Sequence, residues 1–138
     1  MYNKLLPVLM LAVCLLACKK NNGACSTQMC DASFAFIGVQ FTNSAGDPIE
    51  VTGLKVVNIR TNKQLELPPP PETLIYAPGY VFIVSDQNKA EFSAAGDQVK
   101  VTAQSTLTGR TKSFTLKISG GCNCHVAKVS GPDKLVID

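Results

Sequence analysis

Four cysteines and one histidine are the residues of this chain best suited to chemistry. Cys25 and Cys30 stand near its start, and the run Cys122-Asn123-Cys124-His125 stands near its end. Two thiolates and an imidazole, completed by Cys25 or Cys30, have the donor types of a tetrahedral zinc or a copper(I) site. The spacing C-x-C-H is tighter than zinc sites usually use, and an exported thiolate site competes with oxidation. Covalent haem attachment needs C-x-x-C-H, one residue more than this run has. A Cys–His nucleophilic pair is disfavoured if 122–126 is extended, because neighbouring side chains on a strand point to opposite faces. The remaining chemistry is disulfide formation. On an extended segment, Cys122 and Cys124 have α-carbons about 6.5–7 Å apart, at the upper limit for bonding to each other. Cys25, Cys30, Cys122 and Cys124 are therefore expected to form two bridges between the N-terminal segment and the last strands. Either crossed pairing closes loops of roughly 90–100 residues. The pairing 25–30 with 122–124 needs a sharp turn at Asn123. His125 is expected at the surface beside a structural disulfide.

No other catalytic set stands out. A Ser-His-Asp mechanism would have to use His125, the single histidine, and the chain has no G-x-S-x-G elbow. Nothing singles out two of the ten acids as a glycosidase pair. Asp47, Asp86 and Asp97 fall in turn-like sequence, where Asp caps or closes turns. Tyr76 and Tyr80 flank Ala77-Pro78-Gly79 and are the candidate aromatic residues for a carbohydrate- or peptide-binding loop. The phenylalanines fall in strand-like runs and are expected in the core. The sequence thus predicts a protein that is not an enzyme and has no cofactor.

The first 24 residues set the expected address. One lysine, Lys4, precedes an apolar run over 5–17, too short for a membrane-spanning helix of about 20 residues and suited to a signal peptide. Leu15-Leu16-Ala17-Cys18 resembles the lipobox of bacterial lipoproteins. That resemblance implies cleavage after residue 17, a diacylglycerol thioether on Cys18 and acylation (palmitate or a similar chain) of the new amine. Two or more acyl chains hold a protein on a bilayer. Residues 18–24 are then a polar tether. Lys19, in place of Asp, implies the outer membrane by the rule for this class. Bacteroidota surface-export signals combine Lys with acids after the cysteine, and the tether has lysines only.

The elements that must position the cysteines read as β. The 138 residues suffice for one domain, assigned to 25–138. The net charge of +3 becomes +2 without Lys4 and is spread along the chain, so the charge implies neither a nucleic-acid partner nor an anionic membrane surface. Apolar and polar residues alternate over 99–104 and 113–118, each giving one buried face. The runs 34–41 and 80–84 are apolar on both faces and are expected to be central strands. Further strands are expected over 54–61, 63–67, 125–129 and 135–137. Turn sequences at 43–48, 78–79, 95–97, 120–121 and 131–133 separate them. No segment keeps a helical period. Pro68 to Pro71 is expected to form a stiff inter-strand loop. Seven to eight short strands favour an all-β, immunoglobulin-like or transthyretin-like sandwich.

Two stretches carry a wider resemblance. Cys30-Asp31-Ala32-Ser33-Phe34-Ala35-Phe36-Ile37-Gly38-Val39-Gln40-Phe41, followed by Asn43-Ser44-Ala45-Gly46-Asp47-Pro48-Ile49, resembles the opening of a carboxypeptidase-regulatory-like or transthyretin-like β-sandwich. Cys122-Asn123-Cys124-His125-Val126 and the residues to Pro132 are similar to the C-terminal signature of small uncharacterised Bacteroidota lipoproteins. The resemblance implies the fold and the envelope address and no particular activity. The expected partners are the membrane, through the lipid, and an envelope protein or glycan.

Overall fold

A computed structural model describes Cys25, residues 29–70 and residues 77–138. The expected signal peptide, Cys18, the tether and Tyr76 lie outside the described residues, as does Pro71. Among the described residues, eight strands form two sheets: β1 (Phe36–Thr42), β2 (Val51–Asn58), β3 (Lys63–Gln64), β4 (Tyr80–Ser85), β5 (Asp97–Ser105), β6 (Thr111–Ser119), β7 (Ala127–Ser130) and β8 (Lys134–Val136). The small sheet has the order β4-β1-β8 and the large one β3-β2-β5-β6-β7. Among the described residues the only helical element is a 3-10 segment, Asp86–Glu91, and no helix is long and apolar enough to cross a membrane.

The β-sandwich follows from the period-2 patterns. In β5 the buried residues are Asp97, Val99, Val101, Ala103 and Ser105, with exposed or half-exposed residues between them. Its partner β6 buries Leu116 and Ile118, and the two strands pair antiparallel from Asp97↔Ile118 to Gln104↔Thr111. From the small sheet, Ile37, Val39, Phe41, Ile83, Val84 and Leu135 face this layer across one continuous core. Burial of each such aliphatic or Phe side chain stabilises the fold by about 1.5–3 kcal/mol relative to exposure. β8 joins β1 in parallel, with Phe41 opposite Leu135, so the end of the chain closes the small sheet beside its first strand.

Four expectations change. The run 80–84 is an edge strand, because β4 pairs with β1 at one end of the order β4-β1-β8. The outer faces of β1 and β4 are only half covered, and their own aromatic rings supply the cover. Phe34, Phe36, Phe82 and Tyr80 form a chain of ring contacts at 5.0, 5.2 and 5.4 Å between successive centroids. Phe34 is exposed and Phe36 and Phe82 are half-buried, so only some of the phenylalanines are core. A Cβ at Gly38 would lie 2.3 Å from the Tyr80 ring, which fixes why β1 has a glycine beneath that ring. The strand expected over 63–67 shortens to Lys63–Gln64, and the Leu65 N–H makes one further bond to the Val56 carbonyl at 2.8 Å before the chain leaves the sheet. Finally, 122–126 is not extended. It is a bent loop, and the strand expected from residue 125 begins at Ala127.

Candidate functional site

The bent loop after β6 is shaped by Gly120 and Gly121. A Cβ on Gly120 would sit 2.6 Å from the Lys89 carbonyl, and Gly121 has φ +58. Only glycine lets the backbone lie this close to the 3-10 segment in that conformation. The Gly121 N–H then donates to the Lys89 carbonyl at 2.8 Å, and Lys89 Nζ donates to the Cys124 carbonyl at 3.3 Å. The loop thereby presents Cys122 and Cys124 to the incoming N-terminal segment. Cys25 bonds to Cys122 and Cys30 to Cys124, with Cα separations of 5.0 and 5.3 Å. This is one of the two crossed pairings expected. With all four sulfurs paired, no thiolate is left for a metal or a nucleophile. No cluster of His, Cys, Asp and Glu among the described residues is arranged to hold a metal ion.

His125 differs from the expected surface histidine. Its side chain is 23 % exposed and lies between two carboxylates: Nδ1 is 2.7 Å from Asp86 Oδ2, and Nε2 is 3.0 Å from Asp31 Oδ1. Asp86 is positioned by the start of the 3-10 segment. Ser85 caps that segment by accepting from the Gln87 N–H, while the Asn88 side chain accepts from the Ser85 N–H. The Asp86 carboxylate also accepts from the Ala35 N–H at 2.9 Å and the Val126 N–H at 2.8 Å. One side chain thus ties the entry of β1 to the residue after His125. On the other side, Asp31 Oδ1 accepts from the Ser33 N–H and hydroxyl, and Ser33 Oγ lies 3.2 Å from His125 Nε2.

Ser33, His125 and Asp86 therefore stand in the order of a Ser-His-Asp set, a grouping that sequence reasoning missed. The signal was slight: a lone histidine and a D-x-S pair 92 residues from it. The chemistry of this arrangement is nevertheless that of a clasp. When protonated, the form its raised pKa favours, an imidazole facing a carboxylate at each nitrogen donates from both and has no lone pair to accept a serine proton. The Ser33 hydroxyl is spent on Asp31. Asp86 holds His125 above its ordinary value of 6.5, against the opposing effect of burial, and Asp31 adds to the rise. Burial would raise Asp86, yet the Ala35 N–H, His125 and the Val126 N–H outweigh it and lower its pKa. Asp31 is lowered by the Ser33 hydroxyl and N–H and then by His125.

The clasp makes the N-terminal segment pH-sensitive. A histidine with a raised folded pKa contributes stability that is present below the unfolded value of 6.5 and lost as pH rises through the folded value. In a proton NMR titration the single imidazole resonance is expected to shift with a midpoint above 6.5. Asp86→Asn should return it toward 6.5 more than Asp31→Asn does. A wild-type midpoint at or below 6.5 would refute the clasp.

Of the two tyrosines considered as binding residues, Tyr80 borders an open apolar groove of about 250 Å³ with Leu67, Pro68, Pro70, Val81 and Phe82. The structure therefore gathers its notable side chains at two places: the cysteine–histidine knot and this aromatic groove. No protein-family model, curated protein or solved structure matches this chain.

Proposed function

We propose that the chain is a non-catalytic lipoprotein, anchored through Cys18 to a bacterial envelope membrane, whose sandwich serves as an accessory or binding module. The observation that carries this reading is the knot. Two disulfides and the Asp31–His125–Asp86 clasp fasten the segment that leads from Cys18 onto the opposite end of the chain. Such fastening suits a domain held by its N-terminus in an oxidising compartment. Six cysteines in a chain with an apolar start support the same address. Lys19, directly after the lipobox cysteine, favours the outer membrane.

The test is the intact mass of the protein purified from a membrane fraction. The expected protein starts at Cys18, carries a diacylglyceryl group and acyl chain, and has lost four thiol hydrogens. Cys18→Ser should move it wholly out of the membrane fraction. A lipid-free mature chain, or membrane retention of Cys18→Ser, would refute the anchor.

A second reading, a carbohydrate- or peptide-binding component of an uptake system, is favoured by the groove beside Tyr80 and Phe82. Aromatic rings with open edges in a groove are the usual means of holding such ligands. A metal- or redox-active role for Cys122, Cys124 and His125 would require the reduced protein.

A further inference from the structure

We infer that Met29 and Phe34 form a membrane-contact surface, which seats the knot end of the sandwich in the headgroup boundary of the bilayer. The inference rests on the proposed lipid anchor. It adds that the domain is held against the membrane in one orientation.

The argument starts from chain length. Residues 18–24 span at most about 25 Å when fully extended, and they end at Cys25, which is covalently fixed to Cys122. The knot end therefore stays within reach of the bilayer whatever the tether does. Two exposed apolar side chains lie there: Met29, between the two crosslinked cysteines, is 99 % exposed, and Phe34, between Cys30 and β1, is 50 % exposed. Exposed apolar side chains on a segment immobilised beside an anchor point have the chemistry of an interfacial contact. Their ordering cost is small because the Cys30–Cys124 bridge and the Ala35–Asp86 hydrogen bond already hold the segment.

Charge at this end is compatible with the placement. Asp31 lies between the two apolar residues and shares the single positive charge of protonated His125 with Asp86, so the clasp keeps one net negative charge. Asp86 is likewise committed to His125, Glu91 to Lys63, and Asp97 to Arg60. The cation Lys89 faces the same loop through the Cys124 carbonyl. In the tether, Lys19 and Lys20 add attraction to anionic headgroups. Phe34 also continues into the ring series Phe36, Phe82 and Tyr80, so apolar surface extends from the knot along the small sheet.

The chain contains no tryptophan, so a single introduced Trp reports its own surroundings. Met29→Trp, Phe34→Trp and Leu107→Trp are made in the full-length protein, purified in lipidated form and reconstituted in phosphatidylethanolamine–phosphatidylglycerol vesicles. Leu107 is exposed in the turn after the nine-residue β5, about 30 Å from the knot end. Brominated lipid is expected to quench Trp at 29 and 34 at least about twofold more than Trp at 107, with a blue-shifted emission at the first two. Equal quenching at all three positions, in protein that floats with the vesicles, overturns the contact surface and leaves the anchor intact. Protein that lacks the lipid mass and does not float overturns both.

Discussion

Removing both disulfides is expected to leave the domain largely unfolded, while removing either one alone costs about 2–3 kcal/mol. The asymmetry follows from where the bridges lie. Cys25–Cys122 and Cys30–Cys124 have sequence separations of 97 and 94, so the first to form removes the entropy of a loop of nearly the whole domain. In the chain-entropy model that constraint stabilises by about 4.7 kcal/mol. Once it exists, the second bridge closes only the small ring made by 25–30 and 122–124, about nine residues, which is worth about 2.6 kcal/mol in the same model. Each bridge is thus largely redundant while its neighbour stands. Without both, the loss reaches about 7 kcal/mol, comparable with the whole stability of a small domain.

The measurement is thermal and urea unfolding of Cys25→Ser/Cys122→Ser, Cys30→Ser/Cys124→Ser and the fourfold variant. The paired variants should melt about 10 °C below the parent, and the fourfold variant should lack a cooperative transition. Fourfold and paired variants of equal stability would show that the bridges do not act on a shared loop.

Asp97→Ala is expected to cost about 2–4 kcal/mol, the largest effect of any single polar substitution considered for this fold. Asp97 opens β5 with its side chain only 3 % exposed, and it is a hub of hydrogen bonds. Oδ1 accepts from Arg60 Nε at 2.9 Å and from the Ser93 hydroxyl at 2.8 Å. Oδ2 accepts from the Ser93 N–H at 3.0 Å and from the Asn58 amide at 3.1 Å. Asn58 is fully buried in β2, and its amide also donates to the Glu91 carbonyl. Alanine would strip a buried donor set of its acceptor. Arg60 is 53 % exposed, so water takes over its bond and the salt bridge adds little by itself.

The pH dependence distinguishes this hub from the histidine clasp. The Arg60 guanidinium, helped by Ser93 and Asn58 and opposed by burial, holds the Asp97 carboxyl well below the usual range. A carboxyl depressed in the folded state contributes stability that is fully present above the unfolded value of 3.8. That contribution fades as pH falls through the folded value. The stability gap between the parent and Asp97→Asn should therefore be constant from pH 7 to 5 and narrow below 3.8. A gap that widens on acidification would refute the assignment. The clasp loses its contribution in the opposite direction, as pH rises.

The alternation in 99–104 and 113–118 was enough to place β5 and β6, because burial of one face forces period 2 whatever the neighbours are. The cysteine spacing likewise suggested two bridges between the ends of the domain, although the extended 122–126 assumed for that argument is a bent loop in the structure. Tertiary structure decided the rest. Which crossed pairing forms depends on the bend at 122–126, and that bend arises because Gly120 and Gly121 lie against Lys89 and Phe92, far away in sequence. His125 carries no local mark of its two carboxylate partners, which come from 94 and 39 residues away. Asp97 reads as an ordinary turn acid until strand pairing buries it beneath Asn58 and Arg60. The edge position of β4 was also invisible, because an apolar run does not reveal how many neighbours it will have. Local pattern fixes which face a residue turns inward, and only the packed sheets fix which groups meet there.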